Sequence, residues 1–322
     1  FCFLLFLLPV CIFCEGECQG DKETCFLESL DSEERLSEAF NANAVPYKIY
    51  PDFLKPTKQS YPKDVTLCTQ GSIDRLERLR DQALSWHGSL SVALYLAPKD
   101  VEGSNHDRTL ALIRQLHSDI DALGQCRLTI SLLYGVGNSE AKEEFDTLYP
   151  INALRNVAVR SAKTDLIMVI DVDFVPSENF WEFCVSEPMY THLLHGATNE
   201  GRVWALVSLE VHDSFLPMPR HWSALPESLR NRSVVVAEAY LNPAAHEPVG
   251  VESWLATDEE AGPLSVGEGF EPLVLGARRR LPLYDERFRG YGWDKTTHAL
   301  QLRALGLRYW LLPRCFVAAR YH

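Results

Sequence analysis

Positive charge is scarce in this chain: 31 Lys and Arg face 44 Asp and Glu, for a net charge of -13 and an isoelectric point near 5.3. Phosphate backbones are bound by clustered Lys and Arg, so this balance excludes a general nucleic-acid surface. An anionic substrate then needs a local cation, which a bound metal would supply. No zinc spacing stands out among the nine cysteines. Cys11-x-x-Cys14 has no second pair and no neighbouring His set, so it reads as a pair of membrane-proximal thiols. No internal repeat is found, which excludes an array of stacked repeats. A hydrophobic content of 46% excludes a disordered chain, and 322 residues suffice for one large core or one core with a small appendage.

What is present begins with an apolar start. Residues 1 to 14, FCFLLFLLPVCIFC, carry no charge and lead at once into the acidic EGECQGDKE. Fourteen residues are too few to span a bilayer, so the segment fits a signal-peptide core, the tail of a membrane anchor, or a buried helix. Its position at the terminus favours a signal-anchor. Residues 15 to 60 are polar and without sustained period, as expected of a stem, and the folded domain is expected over residues 61 to 322. Asn231-Arg232-Ser233 is an N-glycosylation sequon, consistent with a lumenal location.

From Val65 the pattern becomes regular. VTLCTQG, SLSVALYLA and CRLTISLLYGV read as strands. Helices are expected over IDRLERLRDQALSW, with Ser72 as its cap, from about Arg108 to Leu123, and from about Ile151 to Ala162. DLIMVIDVDFVPS follows as a fourth strand. Such alternation specifies an α/β fold with a largely parallel sheet. Beyond Pro176 the period loosens: ALVSLEVH (205 to 212) reads as one more strand, and residues 213 to 264 are irregular, the natural place for an acceptor site.

The fourth strand carries the chemistry. Its run from Leu166 to Ile170 is uncharged and ends in Asp171 and Asp173, with Pro176 as a stop. Alternate residues of an extended strand share a side, so this spacing offers two carboxylates to one hard divalent cation. A solvated turn is the bland alternative. Ligands of parallel sheets collect at the carboxyl ends of strands, where this pair lies. A second cluster, YDERFRGYGWDKTTH, joins a glycine-rich aromatic loop to a helix beginning near Asp294. Gly290 and Gly292 let backbone approach a ligand, Tyr291 and Trp293 offer faces that stack on sugars or bases, and the helix start favours an anion. A strand-to-helix turn with core aromatics is the other reading.

The blocks VTLCTQGSIDRLERLRDQALSWHGSLSVALYLA, YPINALRNVAVRSAKTDLIMVIDVDFVPS, FEPLVLGA and YDERFRGYGWDKTTH, in that order, resemble glycosyltransferase family 49, the LARGE-type xylosyl- and glucuronyltransferases and the related β-1,4-glucuronyltransferase. The resemblance runs from about residue 45 to the end. It implies a Rossmann-like GT-A fold, a mostly parallel sheet with helices on both faces, in a single-pass type II Golgi membrane protein. It further implies Mn²⁺-dependent inverting transfer from a UDP-sugar to a glycan or glycoprotein acceptor. By position, Asp171 and Asp173 match the family's metal-binding acids, with His322 as the third ligand. Arg155 and Asn156 match the helix that approaches the nucleotide. Glu271 matches the Glu-Pro block, and Asp285, Glu286, Gly290, Gly292, Trp293, Lys295 and His298 match the block near acceptor and leaving group.

Two departures from the family pattern stand out. Where LARGE-type members carry a His three residues after the Phe of the last strand, Ala319 follows Phe316 here, and the chain ends where a donor-closing segment is expected. Asp294 also replaces the more usual Asn before Lys295. An inverting reaction needs one carboxylate to take the acceptor's proton. Asp294, Glu286, Asp285 and Glu271 are the candidates, with Asp294 favoured and a helix-cap role its alternative. Lys295 adds positive charge near the diphosphate. Arg278, Arg279 and Arg280 offer either a glucuronate contact or a solvated loop, and His246 a pocket residue. His87, His106, His117 and His221 read as surface or packing residues. Three classes stay open at this point: a metal-dependent glycosyltransferase, a catalytically silent lumenal relative that binds glycan or protein, and a metal-dependent phosphohydrolase.

Overall fold

The structure is a computed structural model and describes residues 47–135, 148–211 and 217–320. The expected signal-anchor, most of the stem and His322 lie outside the described residues. Among the described residues no helix is long and apolar enough to cross a membrane.

An eight-stranded sheet forms the centre. Its strands are β1 (Lys48–Leu54), β2 (Val65–Ser72), β3 (Ser89–Leu96), β4 (Arg127–Tyr134), β5 (Leu166–Val169), β7 (Arg202–Ala205), β10 (Val274–Ala277) and β11 (Arg308–Trp310), in the spatial order β1-β4-β3-β2-β5-β10-β7-β11. β4, β3, β2, β5, β7 and β11 run the same way, and β1 and β10 run against them. β6 (Val175–Pro176), β8 (Val207–Val211), β9 (Val234–Val236) and β12 (Phe316–Arg320) build a second, four-stranded sheet.

Helices cover both faces of the central sheet, as expected of a GT-A arrangement. On one side α4 (Ile151–Ser161) and α9 (Asp294–Ala304) place Leu154, Val157, Ala158 and Leu302 against Cys68, Ala93, Ile167 and Val169. On the other, α1 (Leu76–Ser85), α3 (Asn105–Leu123), α5 (Phe180–Val185) and α6 (Met189–Asn199) bring Leu79, Ile113, Leu116, Cys184 and Leu193 against Leu67, Val92, Ile130 and Met168. Coverage of both faces buries β2, β3 and β5 along nearly their whole length, which is why they carry no charge and β5 is a continuous apolar run. Each fully buried aliphatic side chain contributes about 1.5–3 kcal/mol. The short helices α2 (Pro98–Val101), α7 (Leu225–Arg230) and α8 (Val251–Leu255) serve as connections.

Four expectations change. Lys48–Leu54, within the expected stem, is a sheet-edge strand paired antiparallel with β4; an edge strand containing Pro51 and exposed on several positions has no buried period to reveal it. The run 205 to 212 is two strands, because the chain leaves the central sheet after Ala205 and enters the second sheet at Val207. Pro176 lies in the edge strand β6, paired with Val317, and does not act as a stop. Ser72 caps nothing: a 3-10 turn, Ile73–Arg75, precedes α1, and the Ser72 hydroxyl donates to Asp74 at 2.6 Å.

Candidate active site

β5 ends at Val169, and Asp171 and Asp173 sit on the turn that follows, closed by Phe174 N–H donating to the Asp171 carbonyl at 3.1 Å. Gln82 of α1 pins both ends of that turn, its Nε2 donating to the carbonyls of Asp171 (3.2 Å) and Phe174 (2.7 Å). The two acids are therefore not alternate residues of an extended strand. Each meets a different set of cations at the carboxyl ends of the parallel strands.

Asp171 is the hub. Arg155 Nη2 donates to its Oδ1 at 2.8 Å, Lys295 Nζ to its Oδ2 at 3.3 Å, and Gln70 Nε2 to Oδ1 at 3.5 Å. Burial alone would raise the Asp171 carboxyl, but the charges of Arg155 and Lys295 overcome it and hold the group well below the usual carboxylate range. Arg155, 2% exposed, turns its other arm to Asp294 Oδ2 at 2.5 Å and packs its guanidinium over the Tyr284 ring. Burial disfavours its charge, yet Asp171 and Asp294 between them raise its pKa. Lys295 likewise stays charged against burial, lying 3.3 Å from Asp171 and 3.9 Å from Glu271 Oε2. Asp173 pairs with Arg75 at 3.1 Å and Arg78 at 3.9 Å, both from the segment after β2.

α4 delivers Arg155 and, one residue on, Asn156, whose amide clamps the backbone of Tyr284 in both directions and donates to Glu286 Oε1 at 2.9 Å. Both Asp285 oxygens accept from Arg287. His298 stacks on Tyr284 with ring centres 3.8 Å apart and its Nε2 faces the Pro282 carbonyl; burial lowers its pKa to about 4, so it is neutral. His246 is buried with its Nδ1 unpaired, and burial followed by the Lys295 charge lowers it to about 3. Gly292 (φ 95°) and Trp293 (φ 64°) turn the chain left-handed into α9, of which Asp294 is the first residue and not the cap. Tyr291 and Trp293 are exposed, so the reading of core aromatics fails. Arg278 binds the carbonyls of Thr164 and Asp165 at the opposite end of β5, which removes the basic run from this site.

The fold thus joins Asp171, Arg155, Asp294, Lys295 and Glu271 in one network, whereas Asn156, Asp285, Glu286 and His298 organise the 282–287 segment beside it. Gln70, Gln82, Arg75 and Arg78 belong to the site and were not singled out from sequence. The i, i+3 spacing of Arg75 and Arg78 just beyond the carboxyl end of β2 was the available signal.

Among the described residues no group of three or more His, Cys, Asp or Glu side chains stands ready to hold a metal by itself. The donor set present is two half-buried carboxylates two residues apart. Ions of the Mg²⁺ type are held by one or two carboxylates together with substrate phosphates, so the residues fit a cation that arrives with a diphosphate.

A family model described as "Glycosyl-transferase for dystroglycan" matches residues 64–144 and 121–319. "Xylosyl- and glucuronyltransferase LARGE2" of Mus musculus is 28% identical over 295 residues, covering 90% of this chain and 39% of that protein. "Glycosyltransferase-like protein LARGE" of Caenorhabditis elegans is 25% identical over 275 residues, covering 82% and 39%. This chain thus spans about two fifths of the length of these curated relatives. Among solved structures, "Crystal structure of GalNAc-T7 with UDP, GalNAc and Mn2+" aligns with a TM-score of 0.42 at 11% identity, over 81% of this chain and 45% of that one. With the family model covering most of the folded residues, the chain belongs to glycosyltransferase family 49.

Proposed function

We propose that this protein is a divalent-metal-dependent inverting glycosyltransferase. It moves a sugar of the glucuronate, xylose or N-acetylglucosamine class from a UDP-sugar to a glycan or glycoprotein acceptor. Its place would be the Golgi lumen, held there by the apolar N-terminal segment. The observation that carries the reading is the Asp171 hub, where α4, the turn after β5 and the start of α9 converge on one half-buried carboxylate.

Asp171 and Asp173 would hold Mn²⁺, which when bound supplies Lewis-acid stabilisation of the departing diphosphate. Arg155 keeps Asp171 ionised and oriented, Lys295 adds positive charge beside the leaving group, and Gly292 shapes the backbone beside the nucleotide. Asp294 is committed to Arg155, and Asp285 to Arg287. Glu271 is placed differently: Thr296 and Asn242 hold its Oε1, and Oε2 lies 3.9 Å from Lys295 beside the hub. We therefore assign Glu271 as the base. As the acceptor oxygen bonds to the anomeric carbon opposite UDP, its proton passes to Glu271, and the sugar–phosphate bond breaks with its electron pair leaving on the diphosphate.

A UDP-release assay with a panel of UDP-sugars and glycan acceptors, run with Mn²⁺ or with EDTA, tests the reading. Metal-dependent release is expected, with Glu271→Gln lowering kcat by roughly 10²–10⁴-fold while UDP affinity stays. Full turnover in Glu271→Gln would return the base to another carboxylate, and silence with every donor and acceptor would contradict the activity.

A further inference from the structure

Exposed apolar side chains gather beside the hub. Tyr291 and Trp293 are 91% and 56% exposed, and Tyr240 and Leu241 are 62% and 69% exposed. Hydrogen bonds tie the segments that carry the two pairs to one oxygen of Glu271. Its Oε1 accepts from Thr296 Oγ1 at 3.0 Å, three residues past Trp293, and from Asn242 Nδ2 at 3.4 Å, one residue past Leu241. Leu148, also exposed, lies against Gly290 at the foot of the same loop.

Glu238 opens the turn that presents Tyr240 and Leu241. Its carbonyl accepts from the N–H groups of Leu241 (3.1 Å) and Asn242 (2.8 Å), and its φ of 59° is a conformation non-glycine residues rarely adopt. Its Oε2 is buried and makes no hydrogen bond, although buried carboxylate oxygens are normally satisfied. Glu238 also neighbours Tyr291: the phenol pKa is raised, first by desolvation and then by the Glu238 charge, with Lys295 opposing and Glu271 and Asp294 adding. Exposed aromatic faces and a strained turn therefore lie close to the carboxylate assigned as base.

We propose that Tyr291, Trp293 and Tyr240 form a stacking platform for a pyranose ring of the acceptor glycan, with Glu238 fixing the turn that presents Tyr240. The proposal rests on the glycosyltransferase reading above. A sugar suits the surface because it offers C–H faces to aromatic rings and hydroxyl edges to carboxylates. A protein partner suits it less, since interface cores are depleted of charged residues and the charges of Glu238 and Glu271 both act on Tyr291.

Saturation-transfer NMR on the full chain with methyl β-pyranosides of xylose, glucuronate and N-acetylglucosamine tests the site. At least one should bind, and its affinity should fall about tenfold in Tyr291→Ala and in Tyr240→Ala and stay near wild type in Tyr291→Phe, which keeps the ring. Affinity for UDP with Mn²⁺ should be unchanged in all three, which also shows that they fold. No pyranoside binding, or binding by Tyr291→Ala and Tyr240→Ala equal to wild type, would overturn the platform. Pyranoside binding of this pattern without any UDP release keeps the subsite and sinks the transferase reading. Metal-dependent UDP release with an acceptor KM untouched in both variants does the reverse.

Discussion

At the scale of single residues, Arg155 decides whether the site can exist. It is almost fully buried and satisfies two carboxylates at once, Asp171 and Asp294. Removing one partner of a buried ion pair leaves charge uncompensated, so Arg155→Met should cost about 3–5 kcal/mol in urea unfolding at pH 7. The same residue sets an acid limb of stability. Because the folded Asp171 carboxyl lies below its unfolded value of about 3.9, its contribution is complete above that pH and is lost as pH falls toward the folded value. In Arg155→Met that limb should flatten, and an unchanged acid limb would show that Asp171 is stabilised by something else. The sequence displayed Asp171, Asp173, Arg155 and Lys295 as candidates, but not their division of labour. Asp294 was favoured as base because it follows a glycine-rich loop, and only the fold shows its carboxylate turned inward onto Arg155. Glu238 had no signal at all, since an unpaired buried oxygen is a property of packing.

Among the elements, the loop from Gly290 to Trp293 matters most, because its left-handed backbone sets where α9 and Lys295 begin. At Gly292, φ is 95° and a Cβ would meet no atom within 4 Å, so substitution acts through the backbone alone. Gly292→Ala should cost about 1 kcal/mol of stability yet lower kcat/KM more than that loss explains. A stability loss with unchanged kcat/KM would show that the loop geometry is not used in turnover. The buried elements were the legible ones: β2, β3, β4 and β5 lie between covered faces and carry no charge apart from Arg127, and their helices carry the matching period. β1 and β6 were not legible, being an exposed edge and a two-residue pairing that depends on distant β12. The split of 205 to 212 between two sheets was equally hidden, because Leu206 changes the sheet without changing the hydropathy.

For the molecule as a whole, an acidic chain gathers buried and half-buried cations around one acid pair: Arg155 and Lys295 on Asp171, Arg75 and Arg78 on Asp173. That concentration meets the need for local positive charge that a net charge of -13 imposes on any anionic donor. The α/β class was readable from alternation alone, whereas the second sheet, assembled from pieces far apart in the chain, was not. The central claim is that this place binds a diphosphate together with a divalent ion. Calorimetric titration of UDP into the protein, with Mn²⁺ and with EDTA, beside Asp173→Asn, tests it most directly. The account predicts binding that requires Mn²⁺ and is lost in Asp173→Asn while the variant stays folded. UDP binding that is indifferent to the metal or to Asp173, or no binding at all, would contradict it.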